Sequence, residues 1–247
     1  MADLLAFLSF GPEGWGDELL AGTWLTIRLA VSTLPLGLAL GFLIALARRS
    51  NSRLLSGFGQ LFTTIFRGLP ELLTLFIVYY GGQLAVQWTA NLLFDTYVEV
   101  SAFLAGMTAL GLVYAAFASE VFLAAFRAIG HGQFESAEAL GLRRWPMLRL
   151  VIAPQLIRLA LPGLANLWLI LLKDTALVSV IALDDLLRMT QVAVGVTREP
   201  FFFFLFACLI YLALSLISSV GIVAVERWAE RGEARVAPRP FAEEAGR

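Results

Sequence analysis

The chain has 247 residues, 59% of them hydrophobic and 15% charged, with a formal net charge of -1 and a positive mean hydropathy. That composition belongs to an integral membrane protein rather than a soluble domain, and the charge gives no sign of nucleic-acid binding. A single cysteine, Cys208 in an apolar run, leaves no disulfide framework or cysteine zinc site, and no metal site is expected.

The first 27 residues contain no Lys or Arg and carry Asp3, Glu13, Asp17 and Glu18. This is the reverse of the basic start of a secretory signal, so the N-terminus is expected to be retained. Leu19 to Ala47 then forms a first span, interrupted only by Arg28 near one end, from where its side chain can snorkel. Gly37 and Gly41 make a small-xxx-small pair that would let another helix approach closely. Leu61 to Trp88 is a second, weaker span, because Arg67 and Glu71 lie in its first half and only Leu72 to Trp88 is cleanly apolar. Ser101 to Phe126 is interrupted only by Glu120. Leu159 to Leu183 is broken by Pro162 and by Lys173-Asp174. Pro200 to Val225 has no charge at all and opens with Pro at a plausible helix start. The expected fold is therefore an all-α integral membrane protein of about five spans, a single transmembrane domain over 1–247 with a polar loop at 127–158 and a short, frayed tail at 229–247.

Basic residues in short loops stay on the cytoplasmic side. Arg48, Arg49, Arg53 and Arg67 surround the first turn-around; Arg127, Arg143, Arg144, Arg149 and Arg158 lie between spans three and four; Arg227, Arg231, Arg235, Arg239 and Arg247 follow span five. These are fourteen of the eighteen basic residues, which predicts an external N-terminus and a cytoplasmic C-terminus.

The 127–158 loop is helical in composition. Phe134 to Leu140 is rich in Ala, Glu and Leu and stops at Gly141, suited to a left-handed helix end, and a second helix begins near Trp145-Pro146. A short helix with one apolar face either docks in a partner's groove or rests on lipid headgroups. His131 reads as a solvated turn residue.

The spacing Glu135, Ala137, Gly141, Val151, Pro154 resembles the cytoplasmic loop signature of ABC importer permeases, with Ser136, Val151 and Ala153 departing from the commoner Ala, Ile and Leu. Thr63-Thr64-Ile65-Phe66-Arg67-Gly68-Leu69-Pro70, Ala160-Leu161-Pro162-Gly163 and Leu172-Lys173-Asp174-Thr175-Ala176-Leu177-Val178-Ser179 look like the polar amino acid branch of that family. Arg67-Gly68-Leu69-Pro70-Glu71 and Arg198-Glu199-Pro200-Phe201 most resemble permeases for histidine, lysine, arginine and ornithine and for opines. The resemblance spans about Leu19 to Trp228. It implies the type I importer fold in the bacterial inner membrane. Glu135, Ser136, Ala137, Gly141 and Pro154 would form the coupling hairpin, docked on a cytoplasmic ATPase. Other implied partners are a periplasmic substrate-binding protein, and a homologous permease or a second copy to complete the pathway.

The chain has no GxxxxGK[ST] loop, and its sole lysine, Lys173, follows Leu172. No cofactor is expected on it, ATP and Mg belonging to the partner ATPase. Charges inside the spans are functional candidates by default. Glu71 and Glu120 are the candidates for contact with a cationic substrate; alternatively Glu71 pairs with Arg67, if Gly68 and Pro70 do not break the helix, and Glu120 pairs with Arg127 or another span. Arg67, Gly68, Pro70, Lys173 and Asp174 are read as structural. The competing function is an ion-coupled secondary carrier using Glu71 and Glu120 as a relay. An intramembrane enzyme is discounted for want of GxSxG, HExxH or a histidine within a span.

Overall fold

A computed structural model of the chain describes residues 6–11, 14–93 and 97–230, and every regular element among them is helical. In chain order these are α1 (Gly16–Arg49), α2 (Arg53–Gly68), α3 (Glu71–Leu93), α4 (Ala102–Ala128), α5 (His131–Ala139), α6 (Arg144–Met147), a π-helical turn Leu148–Ile152, α7 (Ala153–Asp174), a 3-10 segment Thr175–Ile181, α8 (Leu186–Thr197) and α9 (Pro200–Glu230). Four continuous helical stretches are long and apolar enough to cross a bilayer, and α2 with α3 would make a fifth only as a bent pair.

That bent pair corrects the single span expected over Leu61 to Trp88. The two helices meet at 110°. Pro70 cannot donate to the preceding turn and disfavours a helical conformation in Leu69, which is extended at ψ 142°. Pro162 has the opposite outcome: it lies inside α7 without ending it, because neighbouring helices in a membrane can re-satisfy the freed backbone groups. Of the two breaks expected in that span, the one at Lys173-Asp174 is present: after Asp174 the α-helix tightens into the 3-10 segment.

The centre is α4, with 72% of its apolar window buried against 11% for α9. It packs most intimately on α1, through the glycines anticipated in the sequence. A Cβ at Gly37 would lie 2.5 Å from Cδ1 of Tyr114, and one at Gly41 2.8 Å from Cβ of Ala118. Since lipid gives no hydrophobic drive for association, such close backbone approach is what holds the pair. The 3-10 segment closes on the same face, with Val178 against Gly106. The outward faces of α9, including Leu209, Leu212, Leu216, Ile217 and Val220, are exposed apolar surface suited to lipid.

At the other end of α1, Thr26, Asp185 and Thr190 are fully buried. Arg188 N–H donates to Asp185 Oδ1 at 2.9 Å, so Asp185 caps α8, and Leu186 N–H donates to Thr26 Oγ1 at 3.2 Å, which ties α8 to α1. Of the tail expected over 229–247, Ala229 and Glu230 still belong to α9, and the remainder lies outside the described residues.

Candidate functional site: a coupling hairpin and an acidic pocket

The polar loop folds as a helical hairpin. α5 begins at His131, three residues earlier than the composition predicts, and ends at Ala139. Its end is a Schellman motif: Leu142 N–H donates to Ala137 O at 3.1 Å, Gly141 N–H to Glu138 O at 2.8 Å, and Gly141 sits at φ +74°. Only the left-handed conformation makes Gly141 necessary, for no neighbour stands within 4 Å of a Cβ placed there.

Ala137 is buried against the core with Met147 and Ile152, while Phe134, Leu142 and Val151 pack around them. Glu135, Ser136 and Pro154 are exposed, and Leu140 and Trp145 beside the turn are 80% and 73% exposed. The hairpin therefore has one face anchored to the spans and a tip that offers apolar and acidic groups outward. Gln155 Nε2 donates to Gln133 Oε1 at 3.1 Å and to Val151 O at 2.9 Å, linking α5 to the start of α7. His131 is exposed at the helix start, its ring 6.2 Å from that of Phe134.

The charged residues of the spans separate into two groups. Glu120 Oε1 meets Nη1 of Arg48 at 2.8 Å and Nη1 of Arg67 at 2.8 Å. Its partners thus come from other spans, and Arg127 is not among them. Arg67 reaches away from Glu71, because the bend at Leu69-Pro70 destroys the helical spacing that would have paired them. Gly68 and Pro70 are both exposed at that bend.

Glu71, first residue of α3, instead faces Asp174, last residue of α7, within side-chain hydrogen-bonding reach. They border a small pocket together with Tyr114, Phe117 and Leu171. The Tyr114 hydroxyl is buried with no hydrogen-bond partner among the described residues. Lys173 is exposed, and no ion pair joins it to Asp174 among the described residues, whose two ion pairs both involve Glu120. A cavity volume of about 20 Å³ admits a water-sized group and excludes an amino acid.

Two participants were not legible beforehand. In the sequence Arg48 stands only as loop charge, and Tyr114 carries no motif. The pairing of Arg48 with Glu120 follows from the α1–α4 contact, which the glycine spacing announced without fixing its register.

The family model described as "Binding-protein-dependent transport system inner membrane component" matches residues 37–231. The chain is 40% identical over 230 residues to the nopaline transport system permease protein NocQ of Agrobacterium fabrum, covering 92% of this chain and 98% of that one. It is 34% identical to the histidine/lysine/arginine/ornithine transport system permease protein HisQ of Escherichia coli, over 87% of this chain and 94% of that one. A solved structure of an amino acid ABC transporter with histidines matches with a TM-score of 0.75 at 29% identity, covering 87% of this chain and 95% of that chain. A MetNI methionine ABC transporter structure matches with a TM-score of 0.67 at 15% identity, covering 86% and 96%, a likeness of fold. With a family match over most of its length and relatives similar end to end, the chain belongs to the inner membrane components of binding-protein-dependent transport systems.

Proposed function

We propose that this chain moves a cationic amino acid or opine, with Glu71 and Asp174 compensating the substrate's positive charge in the apolar core. The observation that carries the reading is two carboxyl groups lining one pocket between α3 and α7, with no arginine or lysine nitrogen within 4 Å of either among the described residues. Carboxyls in a membrane core are expensive and persist where they serve a pathway. NocQ and HisQ are named for substrates that carry cationic groups. The small pocket volume fits a closed resting state, opened when the spans separate.

The chain is an inner-membrane permease subunit, not an enzyme, of an importer that works with an ATPase and a substrate-binding protein. Family membership sets aside the ion-coupled carrier. In our reading the hairpin docks in a groove of the cytoplasmic ATPase through Glu135, Ser136 and the exposed Leu140 and Trp145. Anchored Ala137 and the Gly141 turn carry the displacement to α4 and α7, a short rigid helix transmitting what a loose loop would absorb. ATP and Mg sit on the ATPase. The N-terminus is external and the C-terminus cytoplasmic. The binding protein is periplasmic, and a second permease, homologous or identical, completes the pathway. Glu120, already shared by two arginines, serves to hold the bent α2–α3 pair rather than to meet substrate.

The test is reconstitution with the ATPase and binding protein, reading ATP hydrolysis against lysine, arginine, histidine, ornithine, octopine and nopaline beside neutral and acidic amino acids. Strongest stimulation by the cationic set is expected; a preference for neutral or acidic ligands would remove the role given to Glu71 and Asp174.

A further inference from the structure

A second cavity, of about 470 Å³, opens where the last turns of α1 and α4 meet the first turn of α5. Arg48 and Arg49 from α1, Gln60 from α2, Arg127 from α4, and Gly130 and His131 at the start of α5 all line it, and no carboxylate does. Glu120 balances Arg48, but neither Arg49 nor Arg127 has an ion-pair partner among the described residues. The Arg49 guanidinium lies 4.1 Å from the centroid of Phe126, a contact that fixes the group without neutralising it. Gly130, as the N-cap of α5, supplies no side-chain acceptor, so the first-turn N–H groups of that nine-residue helix lack a side-chain cap at the cavity wall.

Arginines near helix C-termini complement the helix dipole, and that would account for each one singly. It does not account for their convergence around one cavity, rimmed by an uncapped helix N-terminus. Converging guanidinium groups, here those of the exposed Arg49 and Arg127, together with helix N–H donors are the recognition set for a phosphate oxygen. The volume suits a ligand of headgroup size. The cavity lies where α1 and α4, two of the membrane-crossing helices, both end, and a basic pocket between spans is suited to anionic headgroups.

We infer that this cavity binds the phosphate group of an anionic ester, supplied by a phospholipid headgroup. Because the start of the coupling helix is one wall, occupancy would bias the position of the hairpin and make transport sensitive to lipid composition. The binding does not depend on how the hairpin meets an ATPase and can be measured without one.

The full chain, purified and weighed by native mass spectrometry with phosphatidylglycerol or phosphatidylcholine, should retain the anionic lipid preferentially. Arg49→Gln and Arg127→Gln should each weaken that retention about tenfold, the scale of one charge-assisted hydrogen bond. Arg127→Lys should restore part of it, and Arg158→Gln, at an exposed arginine outside the cavity, should leave it unchanged. A second arm adds inorganic phosphate and follows thermal unfolding: protection by phosphate alone, abolished by Arg127→Gln, keeps the phosphate site and makes its source soluble. Equal retention of both lipids with no variant-sensitive phosphate effect overturns the inference. So does normal lipid retention by variants that no longer co-purify with the ATPase, since the arginines would then be protein contacts. Unchanged circular dichroism of each variant separates lost binding from lost fold.

Discussion

Arg67 donates to Glu120 at 2.8 Å, tying the last turn of α2 to the C-terminal half of α4. The same carboxylate oxygen holds Arg48 at 2.8 Å, so the consecutive helices α1 and α2 and the more distant α4 converge on one atom. The bend at Pro70 directs α3 away from α2, and the Arg67 contact fixes where α2 ends relative to the core. Arg67 also lies 5.6 Å from the Phe117 ring centroid, one helical turn before Glu120.

Glu120→Gln should therefore destabilise the protein more than Arg67→Gln. The first leaves Arg48, whose side chain is 10% exposed, without its countercharge, at a cost of about 1–3 kcal/mol. The second removes a partner that is 45% exposed, for roughly 0–1 kcal/mol. Thermal unfolding of the purified variants decides this; equal melting temperatures would mean that Glu120 is not a structural hub.

Glu71→Gln and Asp174→Asn address the acidic pocket. Each removes one charge from the facing pair and should lower stimulation by cationic ligands about ten- to a hundredfold, the range for hydrogen bonds to charged groups. Melting temperature should hold or rise, because replacing one of two facing carboxyls by a neutral amide removes like-charge repulsion in an apolar setting. A variant that lost stability and kept transport would identify the pair as architectural.

Hydropathy measures how long an apolar run is and says nothing of its direction, which is why Leu61 to Trp88 read as one span while the chain turns by 110° inside it. The Gly37 and Gly41 spacing did announce a close helix neighbour, and the Gly141 turn was legible because a positive φ has a residue signature. Partners of charged residues were not legible to the same degree. Glu71 is four residues from Arg67, yet it meets Asp174 from another helix, because the local spacing rule holds only where the helix is unbroken.

Gly141→Ala should strain the hairpin by about 1–2 kcal/mol through its left-handed backbone, whereas Gly141→Asn, which tolerates that region, should cost less. The space around Gly141 is open, so size within the chain is not the obstacle, and Gly141→Glu adds a charge at the docking face. ATPase co-purification from membranes should fall in the order Asn, Ala, Glu while the amount of membrane-inserted protein stays constant. A bulky residue at Ala137, 2% exposed, should act differently, by lifting α5 off the core. Retained co-purification with Gly141→Glu would sink the docking role of the hairpin.

Asp185 gives a pH dependence whose sign can be worked out. Its carboxyl is fully buried, and burial pushes its pKa up to about 7 against the opposing donation from the backbone N–H of Arg188. The folded state therefore favours the neutral acid more than the unfolded chain does. The stability that this preference gives is fully present below the unfolded pKa near 4, declines as pH rises, and is gone above about 7. Asp185→Asn keeps an oxygen to accept from Arg188 and cannot ionise, so its melting temperature should be flat across that window while that of the parent falls. The contact of Leu186 N–H with Thr26 Oγ1 should survive in the variant, which would keep α8 seated on α1. Parallel melting curves for parent and variant between pH 4 and 8 would show that Asp185 stays ionised in the folded protein.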